Sequence, residues 1–213
     1  MKERGIIFAG ESVRAIISGR KTQTRRIVKP RHDFYMGERE GGSSWPYFEP
    51  YVYADPEPIE VPCPYGVPGD RLCVKETWRP SWHDDIRACV EYRADGAKIK
   101  PTIRDEGVGF HFFGECDASE PTDRWRSSMF MPRWASRLTL EVVAVRVERL
   151  QEITEADAIA EGCEGHPVDG HAGYPIGGSP VDEYRDGWNS INGKRAPWAS
   201  NPWVWAVTFR MLP

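Results

Sequence analysis

Apolar residues recur at every second position in several segments of the chain, and this pattern predicts β-strands. The clearest strand is SRLTLEVVAVRVERL (136–150), which is rich in β-branched residues and places Val143, Val145 and Val147 on one face. A second clear strand is WVWAVTFRM (203–211), which has the same alternation. Further strands are predicted in GIIFA (5–9), KTQTRRIV (21–28), the PGDRLCVKETW segment (68–78) after its turn, and RACVEYR (87–93).

A spacing of three and four residues predicts a short helix in ESVRAIISG (11–19), where Val13, Ile16 and Ile17 share one face. Ser12 is a candidate N-cap for this helix. Gly19 is suited to end it, because glycine adopts the left-handed conformation at little cost.

Two more helices are predicted in the second half of the chain. ITEADAIAEG (153–162) offers Thr154 as its N-cap, acidic residues in its first turn and Gly162 as its stop. The second of these helices is predicted in VDEYRDGWNSING (181–193).

The remaining segments have no clear period. Residues 31–62 are rich in proline and aromatic residues and predict an inserted loop, and residues 94–133 are irregular. The sequence shows no repeats and no domain boundary. We therefore expect one domain, 1–213, of the α+β class and mainly β: a small β-barrel with short helices at its ends.

The composition is that of a water-soluble globular protein, with 40% hydrophobic and 28% charged residues. No apolar run is long enough to predict a transmembrane helix, and the apolar patch near the N-terminus is too short to predict a signal peptide. The five cysteines are widely spaced and form no CxxC pair, which indicates reduced thiols. We expect a cytoplasmic protein that does not bind membranes.

Positive charge is concentrated at the start of the chain. Residues 1–31 carry a net charge of +7, whereas the whole chain carries −4, so the remainder carries −11. This distribution favours a local anionic ligand over a broad duplex-DNA surface. The alternative is that these cations form ion pairs with the acidic remainder.

Two other features have competing explanations. Cys163, His166 and His171 have loosely ligand-like spacing, but they lack the frame of a known metal motif, and a mobile loop over a cleft explains them better. We predict no metal and no cofactor. Trp203 and Trp205 fit a core strand, whereas a tryptophan in a less regular segment, such as Trp78, can pack in a core or stack on a base.

The segment GRKTQTRR matches G-x-K-x-x-x-x-R through Gly19, Lys21 and Arg26. At this point the chain resembles the ASCH domain family of the PUA-like superfamily. The likeness continues in PGDRLCVKETW, MPRWASRLTLEV, LQEITEADAIAEG and WNSINGKRAPWASNPWVWAVTF. These segments are like those of longer ASCH proteins in phages and prophages, and they cover nearly all of the chain except 31–62 and parts of 94–128.

The resemblance implies a PUA-like barrel that binds RNA or modified nucleosides in a cleft. A small bacterial member of the family removes the acetyl group from N4-acetylcytidine, and its catalytic residues align with Lys21, Thr24 and Glu161. The same helix also offers Glu155 and Asp157 in place of Glu161.

Amide hydrolysis needs a nucleophile, a base and a group that stabilises the oxyanion. Thr24 would be the nucleophile, Lys21 the base in its neutral form, and Glu161 the proton carrier to the leaving amine. Desolvation or neighbouring cations would favour the neutral lysine, whereas a neighbouring carboxylate would favour the ammonium. Glu161 is alternatively a hydrogen-bond acceptor for the base. The residues expected to bind the substrate or its phosphate are Gly19, Arg20, Arg25, Arg26 and Trp78.

The motif and the resemblance are consistent with three functions. The first is a hydrolase that removes an acyl group from an N-acylated nucleobase or nucleoside such as N4-acetylcytidine. The second is a non-catalytic module whose partner is a modified nucleoside or single-stranded RNA or DNA, in which the same cations hold a phosphate. The third is an accessory protein with a degenerate cleft, for which Lys21 would be buried in an ion pair with no open cavity.

Overall fold

A computed structural model describes most of the chain. The described residues are 1–29, 34–39, 41–48, 59–83, 87–99, 124–165 and 178–213. Strands predominate over helices in these residues, which confirms the predicted α+β class with mainly β structure.

The elements of the described residues are the following. The α-helices are α1 (Gly10–Ile17), α2 (Glu155–Ala160) and α3 (Pro180–Asn192). The strands are β1 (Glu3–Ile7), β2 (Gln23–Ile27), β3 (Tyr35–Arg39), β4 (Ser43–Phe48), β5 (Ile59–Glu60), β6 (Arg71–Lys75), β7 (Trp78–His83), β8 (Arg87–Tyr92), β9 (Lys98–Ile99), β10 (Thr139–Arg149) and β11 (Trp203–Met211). Short 3-10 helices lie at Ser128–Phe130, Arg133–Ala135, Leu150–Glu152 and Trp198–Ser200.

The strands form three sheets. The largest has the order β1-β6-β10-β11-β2, with β1 and β6 parallel and β2 antiparallel to β11. The other two are the antiparallel sheets β3-β4-β5 and β7-β8-β9. The largest sheet ends at β1 and β2, so the described residues form no closed barrel.

Internal contacts group the chain into two units. The first contains Met1–Ser18, Arg71–Glu141 and Met211–Pro213, and the second contains Gly19–Asp70 and Val142–Arg210. All three residues expected to carry the chemistry, Lys21, Thr24 and Glu161, belong to the second unit.

The first unit has a core under the β7-β8-β9 sheet. Its buried members are Trp78, Val90, Tyr92, Met131 and Ala135. Beside this core, Arg137 forms paired contacts with the buried Glu76, with nitrogen–oxygen distances of 2.9 and 3.0 Å. The Arg137 guanidinium also reaches Asp95 and lies over the Tyr92 ring. Glu76 is therefore an internal ion-pair partner.

The second unit has a core that fixes α2 and α3. Its buried members are Leu150, Ile153, Ala158, Tyr184, Trp188 and Val204. Thr154 caps α2 as predicted, since its hydroxyl accepts from the backbone N–H of Asp157 while the Asp157 carboxylate accepts in return. Gly162, with φ of +97°, follows the helix end. The sequence therefore sets both ends of the helix that carries Asp157 and leads into Glu161.

Helix α1 begins differently from the prediction. Its N-cap is Ala9, and no side chain caps it, so the expected Ser12 cap is wrong. Its end agrees with the prediction, because Gly19 has φ of +76° and follows the C-cap Ser18. Backbone contacts set the start of this helix without the usual hydroxyl.

Strand β10 has no single buried face. Leu140 and Val142 are buried in its first half, whereas Val147 is buried in its second half and Val143 is largely exposed. The predicted valine face is therefore wrong at Val143. The covered face changes along this long strand, and simple alternation cannot show where.

The predicted loop 31–62 contains a sheet. Strands β3, β4 and β5 lie in it, and Trp45 of β4 is buried. The Trp45 ring meets the Trp205 ring edge-on with centroids 5.0 Å apart, and its indole nitrogen donates to the Val61 carbonyl. The prolines and glycines of the segment hid this strand pattern, and Pro46 itself lies within β4.

Candidate functional site

Lys21 lies where the chain passes from α1 to β2, and the backbone ties this point to the end of α2. The N–H of Thr22 donates to the Ala160 carbonyl at 2.8 Å, and the Thr22 carbonyl accepts from Phe209 of β11 at 2.8 Å. Ala160 is the last residue of α2, and Glu161 follows it as the C-cap. These backbone bonds hold Lys21 and Glu161 beside one another.

The side chains of Lys21 and Glu161 form a buried ion pair. Lys21 Nζ lies 2.5 Å from Glu161 Oε2 and donates to the Glu161 carbonyl at 2.8 Å. The two side chains are only 6% and 5% exposed. Of the three carboxylates that the sequence presents near this helix, Glu161 is the partner of Lys21. Glu155 is exposed, and Asp157 contacts Arg25 and Arg146.

Arg25 lies at the centre of a second group of contacts. Its side chain is 0% exposed, and its Nη1 is 3.3 Å from Oε1 of Glu161. Nη1 also donates to Gln23 Oε1 at 2.6 Å, and Nε donates to Glu148 Oε1 at 2.7 Å. Nη2 makes ion-pair contacts with Glu148 at 2.7 Å and Asp157 at 3.1 Å. Arg25 therefore has no surface with which to meet a phosphate, in contrast to the role expected from the sequence.

Arg146 contacts two of the carboxylates around Arg25 from the solvent side. It donates at 2.7 Å to Glu148 and at 2.7 Å to Asp157, and it is partly exposed. Burial acts to raise the pKa of Asp157, but hydrogen bonds from Arg146 and Thr154, with the charge of Arg25, outweigh it and lower the pKa to about 2. Asp157 is therefore a permanent anion at neutral pH.

Two neutral groups border the ion pairs. Burial raises the pKa of Tyr184 well above its usual value, and the charge of Glu161 adds to the effect. The Arg25 guanidinium lies 6.0 Å from the centre of the Tyr184 ring. Burial, with the charges of Glu183 and Glu161, raises the pKa of Cys163 to about 11. Both groups are neutral at physiological pH.

The other members of the basic segment lie apart from this group. Arg20 is on the surface and makes an ion pair with Glu164 at 2.5 Å. Gly19 has open space around it, since an added Cβ would meet nothing within 4 Å. Arg26 is half-buried in β2, and its charge partly opposes the burial that raises the pKa of Tyr65.

Thr24 is buried in β2, paired with Val207 of β11. Side chains alternate along a strand, so Thr24 lies on the face opposite to that of Arg25. In the part of the chain that the structure describes, no hydrogen bond joins the Thr24 hydroxyl to Lys21 or Glu161. The structure thus brings together two of the three predicted catalytic residues, and their roles stay predictions.

Trp78 lies in the first unit, in the core described above. Its ring is 2% exposed, meets Trp134 edge-on and lies under the Arg126 guanidinium. Its indole N–H has no hydrogen-bond partner among the described residues. As placed, the ring packs in a core and has no open face on which a base could stack.

Sequence reasoning missed the acidic partners of Arg25. Glu148 and Arg146 occupy positions i and i−2 on β10, so they share one strand face, and Asp157 is the capping residue of α2. The signal was present in the sequence as opposite charges at a spacing of two. Nothing in the sequence shows that Arg25 lies against this face.

The described residues contain no group of three or more His, Cys, Asp and Glu side chains placed to hold a metal ion. His166 and His171 of the metal alternative lie outside the described residues. None of the described helices has the length and apolar character that a membrane crossing needs.

Comparison with known proteins gives no assignment. The chain matches no protein-family model, no curated protein and no solved structure. The likeness to the ASCH domain therefore rests on the sequence segments given above.

Proposed function

We propose that the protein is a hydrolase that removes an acyl group from an N-acylated nucleobase or nucleoside such as N4-acetylcytidine. The observation that carries this proposal is the buried contact of 2.5 Å between Lys21 and Glu161. An amine and a carboxyl group in direct contact, shielded from water, are suited to move protons to and from a reacting amide.

The pair can hold its shared proton in two ways. The lysine is an ammonium and the glutamate a carboxylate, or the proton crosses the contact and leaves a neutral amine and a carboxylic acid. The neutral arrangement is the reactive one, because the amine accepts a proton and the acid gives one.

The first half of the reaction acylates the protein. This step requires the Thr24 side chain to reach the face of β2 that carries Arg25. The Thr24 hydroxyl oxygen then bonds to the acyl carbon, and Lys21 takes the hydroxyl proton. The carbon–nitrogen bond breaks, and Glu161 gives its proton to the leaving nitrogen. The products are the free base and an ester on Thr24, with Lys21 and Glu161 now charged.

The second half restores the starting state. A water oxygen bonds to the acyl carbon, and the Glu161 carboxylate takes a proton from that water. The ester carbon–oxygen bond breaks, and the Lys21 ammonium returns a proton to Thr24. Water is the one co-reactant, and every proton is accounted for.

The substrate class and the barrel come from the resemblance to the ASCH family, which implies a modified nucleoside in a cleft of a PUA-like barrel. The barrel itself is part of the proposal, because the five-stranded sheet that carries β2 is not closed among the described residues.

The contacts of the arginines favour hydrolysis over simple nucleic-acid binding. Arg25 is buried among carboxylates, and Arg20 is paired with Glu164. Neither offers the free cation that a phosphate contact needs. A degenerate cleft would also bury Lys21 in an ion pair, and turnover is the observation that separates it from an active site.

The experiment follows N4-acetylcytidine with wild-type protein, Thr24→Ala and Thr24→Ser, and measures cytidine by chromatography and acetylated protein by mass spectrometry after acid quenching. We expect turnover and a transient acetyl group on Thr24 in the wild type, loss of both in Thr24→Ala, and partial activity in Thr24→Ser. Equal turnover in Thr24→Ala would exclude Thr24 as the nucleophile and leave a water in that role. Folded wild type without turnover on N4-acetylcytidine and on other N-acylated nucleosides would contradict the hydrolase.

A further inference from the structure

Arg25 and Lys21 hold different oxygens of the same carboxylate. Arg25 Nη1 lies 3.3 Å from Oε1 of Glu161, whereas Lys21 Nζ lies 2.5 Å from Oε2. Because both oxygens are held, the carboxylate plane cannot turn about its last bond without breaking one contact. The orientation of Oε2 towards Lys21 therefore depends on Arg25.

Arg25 is itself held by two further hydrogen bonds. Its Nε donates to Glu148, and its Nη1 donates to Gln23. Its Nη2 lies within ion-pair distance of Glu148 and Asp157 but makes no hydrogen bond to a described residue. A guanidinium presents its donors in one rigid plane, which a lysine ammonium cannot reproduce. The plane of Arg25 is thus set by Glu148 and Gln23 in addition to Glu161.

We propose that Arg25 is a positioning residue: its guanidinium plane fixes the Glu161 carboxylate so that this carboxylate shares a proton with Lys21. This role replaces the phosphate contact expected of Arg25 from the sequence. The inference rests on the proposed hydrolase for its effect on turnover. It also makes a claim about the resting protein that needs no turnover.

The activity test uses Arg25→Gln and Arg25→Lys with N4-acetylcytidine. We expect kcat to fall on the order of 10- to 100-fold in both, with KM within about twofold, because the substrate contacts are unchanged. The matched control is Arg149→Gln, at a partly buried arginine of the same unit that contacts Asn201 and Trp203, and its kcat should stay within about threefold. Full kcat in Arg25→Lys would overturn the inference, because charge alone would then suffice.

The second test reads the Lys21 ammonium directly in protein labelled with ¹⁵N-lysine, with Lys21→Arg for assignment. Two acceptors and burial should slow proton exchange enough to give a visible ammonium signal in the wild type. Arg25→Gln should abolish the signal and Arg149→Gln should keep it. A signal that persists in Arg25→Gln overturns the inference whether or not the protein is active. Loss of the signal in a protein without turnover would support positioning and remove the hydrolase alone.

A double variant controls for misfolding of Arg25→Gln, because that substitution leaves buried carboxylates without one of their cations. Arg25→Gln with Glu148→Gln removes one charge of each sign and still lacks the contact to Glu161. We expect the amide spectrum of this double variant to be that of a folded protein. Its kcat should fall as far as that of Arg25→Gln, and its Lys21 ammonium signal should likewise be absent. Retention of both would contradict the positioning role.

Discussion

Lys21 donates to both the side chain and the backbone of Glu161, at 2.5 Å to Oε2 and 2.8 Å to the carbonyl oxygen. The lysine thus closes the end of α2 as well as neutralising the carboxylate. One contact joins the basic segment before β2 to the acidic helix end, and both the stability of the site and the proposed chemistry depend on it.

Loss of Lys21 should expose this dependence. Lys21→Met leaves a buried carboxylate with Arg25 as its remaining counter-ion, and we expect the free energy of unfolding to fall by about 3 kcal/mol. Lys21→Met combined with Glu161→Gln should lose less than the sum of the single variants, with a coupling of at least about 1 kcal/mol. Urea unfolding measures all three. Lys194→Met, at an exposed lysine, is the control and should change little. Additive losses would show that the contact does not form in solution.

Asp157 should govern part of the acid stability. Its pKa is about 2 in the folded protein against an ordinary value of 3.8, so the carboxylate stabilises the fold above about pH 4. That contribution is lost as the pH falls towards 2, and it amounts to about 2 kcal/mol.

Asp157→Asn should therefore shrink the loss of unfolding free energy between pH 6 and pH 2 by about this amount. Urea unfolding across this range gives the comparison, and Asp186→Asn at an exposed aspartate should leave the acid slope as it is. An unchanged slope in Asp157→Asn would mean that its hydrogen bonds are not made.

Trp45 should anchor the β3-β4-β5 sheet within the second unit. It is buried against Trp205, so Trp45→Ala should lower the free energy of unfolding by about 3–5 kcal/mol. Tyr35→Ala, at a partly exposed residue of the same sheet, should cost less than about 1 kcal/mol. If Trp45→Ala and Tyr35→Ala lower the free energy of unfolding by the same small amount in thermal or urea unfolding, the β3-β4-β5 sheet does not contribute to the core.

The elements predicted best from the sequence are those that local features define, namely capping residues at helix ends and apolar alternation along strands. Thr154 and Gly162 mark the limits of α2, and strand β11 has the predicted bounds, because capping and alternation are local. The sheet in 31–62 was missed, since its strands are short and depend on a distant partner, Trp205. The exposed Val143 has the same cause: which face of β10 is covered depends on packing.

The candidate site was predictable only in part. The motif and the resemblance singled out Lys21 and Glu161, residues 140 positions apart that the structure brings into contact. The burial of Arg25 was not predictable from composition, because a local excess of cations looks the same whether it meets an external anion or internal carboxylates. Glu148 and Asp157 decide between the two, and their approach to Arg25 is set by the tertiary fold.

The most direct test of the central claim is the rate at which wild type and Lys21→Met convert N4-acetylcytidine to cytidine, at matched folded concentrations and neutral pH. We predict steady turnover in the wild type and a loss of at least about 100-fold in Lys21→Met, because general acid–base catalysis contributes on this scale. Equal rates in the two proteins, or no conversion by the folded wild type, would contradict the assignment of the Lys21–Glu161 pair as the proton-transfer unit of a hydrolase.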